Sequence, residues 1–219
     1  MRTQPGSEPK PAAHGALGAI ASVAALGLLA FGIDELYVSR LAPSQLELEW
    51  LKSQRPTGQG APPTLSDADV ITMRRSQCHG SCPAYEVTIR GSGRIDFKGE
   101  AFVCRRQVSA AAADLASVAR LFQGLEVVKF GSLPDYEHKD ASDHETVTLT
   151  LARNGSAHSI RHYYGDSRAP RVLTLVENRI DKLAGTTAWT GTPGDGTVNC
   201  TLTDGRTKPV EREIPGENP

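Results

Sequence analysis

Two cysteines and a histidine stand close together in one stretch of this 219-residue sequence, Cys78-His79-Gly80-Ser81-Cys82-Pro83. Three kinds of chemistry fit this spacing. The cysteines can form a disulfide across a tight loop in which Gly80 lets the backbone turn. They can act as a thiol-redox pair, although the common redox spacing Cys-x-x-Cys is one residue shorter. Cys78, Cys82 and His79 can also bind copper or zinc, because thiolates and imidazole suit these metals.

A second group of histidines and acids follows later in the chain, in a predicted loop and the strand after it. Its members are His138, Asp140, Asp143, His144, His158 and His162. Imidazole and carboxylate together bind zinc, but this spacing matches no closed structural zinc pattern. A simpler interpretation than a metal site is that the loop residues are solvated and that the histidines of the strand pack against the apolar face. We therefore expect no metal and no other cofactor.

The remaining sequence offers little support for catalysis. It contains no glycine-rich phosphate loop, no His-Glu-x-x-His and no Gly-x-Ser-x-Gly motif. A formal net charge of −1 gives no field that favours nucleic acid. The sequence therefore favours a non-catalytic domain without a nucleic-acid partner.

An apolar segment near the N-terminus indicates export. Residues 15–33 carry no charge, and about 20 such residues match the thickness of a bilayer. Arg2 and Lys10 precede the segment, which predicts that the N-terminal side stays in the cytoplasm. We expect a single-pass protein of a bacterial cell membrane, with its domain on the periplasmic or extracellular side. The alternative is a cleaved signal peptide, with a small-x-small site at Ala30-Phe31-Gly32, and secretion of the rest.

Export bears on the four cysteines, because disulfides persist in oxidising compartments. This favours a disulfide between Cys78 and Cys82 over the redox and metal alternatives. Cys104 and Cys200 are then left as a second pair, which rests on elimination alone.

The predicted organisation has five parts. The first three are a cytoplasmic stretch at 1–14, the membrane segment at 15–33, and a juxtamembrane segment with a Pro/Gly linker at 34–66. The juxtamembrane part has a helical pattern, in which Trp50 either rests at the membrane surface or packs. An α+β domain at 67–189 follows. Residues 190–219 lack a core pattern and predict a disordered or loosely attached tail.

Alternating apolar residues predict two hairpins in the domain. Residues 85–98 turn at Gly91-Ser92-Gly93, so that Ile89 pairs with Ile95 and Val87 with Phe97. Residues 146–163 turn at Asn154-Gly155, the strongest two-residue hairpin signal.

The other elements are two helices and the additional strands. We predict strands at 70–75 and 101–107, a helix from an N-cap at Ser109 to about Phe122 with Gly124 as its stop, and a helix at 170–184 ended by Gly185. The fold class is thus α+β, with an antiparallel sheet of two hairpins plus an extra strand or two, and with two helices packed on one face.

The cysteine stretch resembles the signature of the DUF6438 family of bacterial domains of unknown function. The signature residues are Cys78, Gly80, Cys82, Pro83 and Tyr85. Further matches are Gly91, Gly93, Gly99, Leu133, Asp135, Tyr136, Asp140, Asp143, Tyr163, Tyr164 and Gly165. The resemblance covers about 70–189. It implies a small exported α+β domain and implies no activity.

Together these features favour a membrane-tethered, exported, non-catalytic domain that binds a protein or a cell-envelope component. The alternative is a periplasmic metal-binding or thiol-redox protein that uses Cys78 and Cys82.

We predict that the C-terminus lies outside the cytoplasm. A C-terminal alkaline phosphatase fusion should therefore be active, because that enzyme folds only after export. An inactive fusion retained in the cytoplasm would contradict the topology. A shortened soluble product would favour the cleaved signal peptide.

Overall fold

The computed structural model describes residues 43–56, 64–110, 113–193, 197–201 and 207–211. The chain divides into two compact units, Met1–Pro43 and Ser44–Pro219, and the described residues other than Pro43 belong to the second. Within these ranges no helix is long and apolar enough to cross a membrane. The predicted membrane segment at 15–33 and the stretch at 1–14 lie outside the described residues.

The second unit has an α+β fold, as predicted. Its helices are α1 Gln45–Ser53, α2 Leu115–Val127, α3 Arg171–Ala184 and α4 Thr187–Thr190, with a 3-10 turn at Phe130–Ser132. Its strands are β1 Val70–Arg75, β2 Ala84–Arg90, β3 Ile95–Ala101, β4 Gln107–Ala110, β5 Thr146–Arg153, β6 Ser156–Tyr163, β7 Thr192–Pro193, β8 Thr197–Thr201 and β9 Thr207–Glu211. The first six strands form one antiparallel sheet in the order β4-β3-β2-β1-β5-β6, and the last three form a small second sheet.

The large sheet buries one face against the helices. Because successive strand residues point to opposite faces, alternate positions of each strand enter the core. The inward residues are Ile71, Met73, Val87, Ile89, Ile95, Phe97, Val147, Leu149 and Ile160. They form one cluster with apolar side chains of α2 and α3. The opposite face is polar, and across it Thr72 contacts Thr88 and Arg74 pairs with Glu100.

Both predicted hairpins have the predicted register. Ile89 pairs with Ile95 and Val87 with Phe97. In the second hairpin Leu149 pairs with Ile160. Its turn residues Asn154 and Gly155 both have positive φ (52° and 74°), as a type I′ turn requires.

Helix α1 is part of the folded unit. Trp50 is only 2% exposed and belongs to the main core, so it packs rather than resting at a membrane surface. Gly124 of α2 leaves room for the indole, because a Cβ there would lie 2.4 Å from a ring carbon of Trp50. The folded unit therefore begins before residue 67, the start that we predicted.

The first long helix of the domain differs from the prediction at both ends. It begins at Leu115 after Asp114, whose carboxylate accepts from the Ser117 N–H, and not after Ser109. Ser109 instead lies in β4, a strand that we placed too early, at 101–107. Gly124 lies inside the helix and does not end it. The predicted helix at 170–184 is present as α3, and Gly185 follows it with φ 75°.

The segment that we predicted as a disordered or loosely attached tail forms strands in its described part. Val198 and Cys200 of β8 are buried in a second small cluster with Ala84, Ala101 and Phe102. A disulfide to Cys104 holds β8 there. This segment is held by a few apolar contacts and one covalent bond. Hydrophobic periodicity along the sequence does not reveal such an attachment.

We predict that Gly124→Ala destabilises the domain by about 1–3 kcal/mol, because the added methyl group overpacks the Trp50 ring. The matched control is Gly131→Ala, since a Cβ at that position meets no atom within 4 Å. Urea unfolding followed by tryptophan fluorescence measures both. If the two variants were equally stable, the packing of α1 on α2 described here would be wrong.

Candidate functional site

The cysteine stretch forms a loop between β1 and β2, closed by a disulfide between Cys78 and Cys82. A tight ring suits this position, because it reverses the chain between two neighbouring antiparallel strands. The loop is also held from outside. The His79 N–H donates to the Asp143 carbonyl (3.2 Å), and the Thr146 N–H donates to Ser76 Oγ (2.9 Å). The loop is therefore fixed against the start of β5.

A cleft of about 410 Å³ lies beside this loop. Its walls are the whole loop from Cys78 to Pro83 together with Arg75, Tyr85, Glu145 and Thr190. The five residues on which we based the family resemblance, Cys78, Gly80, Cys82, Pro83 and Tyr85, all line it. Cys78 and Cys82 are each half-buried, so their disulfide forms part of the accessible wall.

Arg75 occupies a core-facing position at the end of β1. Ile71 and Met73 precede it on the same face, and its side chain is only 9% exposed. Its Nε and Nη2 donate to Asp181 Oδ2 (3.2 and 2.9 Å), and its Nη1 donates to Glu145 Oε1 (2.7 Å). Burial alone lowers the pKa of Arg75. The attraction of the Asp181 and Glu145 carboxylates outweighs burial, so the pKa of Arg75 lies above its ordinary value.

Tyr85 of the cleft wall contacts Asp181, the carboxylate that is paired with Arg75. Its hydroxyl donates to Asp181 Oδ1 (2.6 Å), which also accepts from Thr186 Oγ1 (2.9 Å). Burial, and then the neighbouring Asp181 carboxylate, raise the pKa of Tyr85. The phenol therefore stays protonated and acts as a hydrogen-bond donor that holds Asp181 towards Arg75.

The network continues behind the cleft to Glu177 of α3, which is fully buried. Tyr164 donates to Glu177 Oε2 (2.6 Å), and His162 Nδ1 lies 2.8 Å from Glu177 Oε1. The rings of His162 and Tyr164 stack with centroids 4.8 Å apart, and burial raises the pKa of Tyr164 to about 12. The Arg75 guanidinium lies 5.8 Å from the Tyr164 centroid, a cation–π distance.

Glu145 is the acid that faces the cleft. Its side chain is 18% exposed, and its Oε1 accepts from Arg75. Burial raises the pKa of Glu145, Arg75 opposes this, and the like charges of Glu177 and Asp181 add to it. A half-buried carboxylate beside a satisfied guanidinium can accept a hydrogen bond from a ligand or exchange a proton with it.

The predicted group of histidines and acids is dispersed. His138 pairs with Asp140 in an exposed loop (3.0 Å), His158 Nε2 contacts the Leu133 carbonyl, and His162 lies in the network just described. Among the described residues no group of three or more His, Cys, Asp or Glu side chains is arranged to hold a metal ion. Cys78 and Cys82 are bonded to each other, so the thiolates that the predicted metal site with His79 needs are consumed.

The second disulfide joins Cys104 to Cys200, which are 96 residues apart in sequence. It attaches β8 to the connection between β3 and β4, close to Thr190 of the cleft wall, since the Cys104 N–H donates to the carbonyl of Trp189, the residue before Thr190 (2.7 Å). Both pairs are thus disulfides in the structure.

The site residues predicted from the sequence did not include Arg75, Glu145 or Asp181. Only Arg75 carried a signal, because it continues the inward-facing series of Ile71 and Met73 and places a charge where the pattern requires an apolar residue. Asp181 and Glu145 are 106 and 70 residues away from it, so no local pattern joins them.

The fold and the site define a small disulfide-stabilised α+β domain with a cleft over a buried charge network. The family model described as Domain of unknown function (DUF6438) matches residues 69–184, more than half of the chain. The chain belongs to this family. No curated protein matches it. The match includes the cleft loop, Arg75, Glu145 and Asp181, and it ends before β7–β9.

We predict that the two disulfides differ in their contribution to stability. Replacing Cys78 and Cys82 by serine should cost at most about 2–3 kcal/mol, because a small ring removes little unfolded-chain entropy. The Cys104–Cys200 disulfide closes a much longer loop, with a sequence separation of 96, so replacing both cysteines by serine should cost up to about 5 kcal/mol. Thermal unfolding without reductant measures both variants.

Mass spectrometry of the non-reduced protein provides the control, since it should find both linked peptides. Two free thiols at Cys78 and Cys82 in protein isolated from its own compartment, or a stoichiometric metal bound through them, would contradict this assignment.

Proposed function

We propose that this protein is an exported, membrane-tethered, non-catalytic domain that binds a protein or a cell-envelope component in the cleft beside Cys78 and Cys82. The observation that carries the proposal is that all five signature residues line this one cleft. A volume of about 410 Å³ lies within the range of about 300–1,000 Å³ that is typical of ligand sites.

Export is supported by the two disulfides, because such bonds persist in oxidising compartments. Tethering rests on the apolar segment at 15–33 and on the charges that flank it.

A binding role is favoured over catalysis by the state of the groups around the cleft. The sulfurs are bonded to each other, Tyr85 is held as a donor to Asp181, and Arg75 is paired with two carboxylates. The bonds between these groups hold the walls of the cleft in place. Glu145, whose Oε1 accepts from Arg75, is the acid that still has accepting capacity at the cleft.

The thiol-redox alternative is favoured by one observation, the half-buried Cys78–Cys82 disulfide in the cleft wall. In that function, an incoming thiolate attacks one sulfur, forms a mixed disulfide and releases the other cysteine as a thiolate. A second thiolate of the substrate then attacks the mixed disulfide, so that the substrate leaves as a disulfide and Cys78 and Cys82 remain as two reduced thiols. The carboxylates near the cleft disfavour such a thiolate, so we rank this function second. A metal-binding role would first require reduction of the same bond.

The binding proposal is tested by photo-crosslinking in the native cells. A photoreactive residue in place of His79, which is exposed on the cleft loop, should give a covalent adduct with a partner. The matched control places the same residue at Lys98, exposed on the polar face of the sheet. The proposal fails if no adduct forms at His79, or if both positions give the same adducts.

A further inference from the structure

The groups beneath the cleft contain more acids than bases. One hydrogen-bonded network joins Arg75 to Glu145 and Asp181, and through Tyr164 to Glu177. His162 is the other basic member, bonded to Glu177. Three carboxylates thus face one guanidinium and one imidazole. The carboxylates are in excess whether or not His162 is protonated.

Of the three carboxylates, Glu145 is the one that lines the cleft, next to Arg75. Asp181 accepts from Arg75, Tyr85 and Thr186, and Glu177 is fully buried with partners on both oxygens. A carboxylate has about four acceptor positions, and among the described contacts of the Glu145 side chain the partner is Arg75 at Oε1. Glu145 therefore has accepting capacity left on the side that lines the cleft.

The walls above this acid are largely apolar. They include the Cys78–Cys82 disulfide, the Pro83 ring and the Tyr85 ring, whose hydroxyl is turned away to Asp181. The polar lining residues beside Glu145 are Arg75, whose guanidinium is paired with Glu145 and Asp181, and His79, Ser81 and Thr190. An apolar passage that ends at a carboxylate fits an alkyl stem with a cationic end. It disfavours an anion, which would meet uncompensated negative charge in a partly desolvated site.

We propose that the cleft recognises a primary alkylammonium group, which enters between the disulfide and Tyr85 and donates to Glu145. This inference rests on the proposed binding function and names the chemistry of the ligand. The group is the same whether a lysine side chain or a free amine supplies it. Binding of the ammonium would add a positive charge to a network in which the carboxylates outnumber the cations. A hydrogen bond between an ammonium and a carboxylate is charge-assisted, and such hydrogen bonds are stronger than those between neutral groups.

The test is a nuclear magnetic resonance titration of the labelled full chain, purified without reductant, with butylammonium, butyrate and butanol. These three probes share one stem and differ in charge. We expect butylammonium to shift the amide signals of the loop from Cys78 to Pro83 and of Glu145, and to bind more tightly than the other two. Equal or tighter binding of butyrate, or no shift at the loop with butylammonium, overturns the inference.

Two variants locate the charge. Glu145→Gln should weaken butylammonium binding by at least about tenfold, because it removes the charged acceptor. Glu100→Gln is the matched control, since Glu100 also pairs with an arginine, Arg74, but on the polar face of the sheet. The affinity of this variant for butylammonium should equal that of the unaltered protein. Unchanged affinity in Glu145→Gln overturns the inference. Because the comparison of the three probes uses the unaltered protein, it decides the question even if that variant does not fold.

Nα-acetyl-lysine N-methylamide distinguishes the two sources of the amine. Tighter binding than butylammonium supports recognition of a lysine in a polypeptide, whereas weaker binding supports a free amine. Failure here is separable from failure of the proposed function. An adduct at His79 without a preference for cations leaves a binding cleft of a different chemistry. Absence of the adduct removes the binding function itself.

Discussion

The burial of one positive charge, that of Arg75, organises this domain. A buried guanidinium without partners costs several kcal/mol, so the fold must bring acceptors to it. They come from separate parts of the chain: Asp181 from α3 and Glu145 from the residue before β5. The end of β1 therefore determines how close the last turns of α3 must lie to the sheet. Tyr85, directly across from Arg75 in β2, completes the arrangement by holding Asp181.

The cleft is a consequence of this arrangement. Apolar side chains would close the end of the sheet by packing together, as they do further along β1. A charged side chain with hydrogen-bonded partners keeps fixed distances and leaves space above it, which the disulfide loop borders without filling. The same interaction that satisfies Arg75 thus shapes the surface. The loop contributes rigidity, because it is bonded through its sulfurs and through the Asp143 carbonyl.

Local patterns predicted the parts of this fold that depend on neighbouring residues. The hairpin at Asn154-Gly155, the register of Ile89 with Ile95, and helix α3 all follow from turn chemistry and from periodicities of two and 3.6 residues. The errors lie where distant residues decide. Gly124 resembles a helix stop, but it is a contact for Trp50. The partners of Arg75 are 70 and 106 residues away, and no pattern along the chain identifies them.

The spacing of the cysteines also orders events during synthesis. Residues emerge from the N-terminus onwards, so Cys78 and Cys82 meet before β2 has appeared, whereas Cys104 must wait for a partner 96 residues later. Four cysteines allow three pairings. If the first ring closes early, only Cys200 remains for Cys104, and the two wrong pairings are avoided. Early closure of the short ring would thus leave the long-range bond to form in a chain whose α3 has already been made.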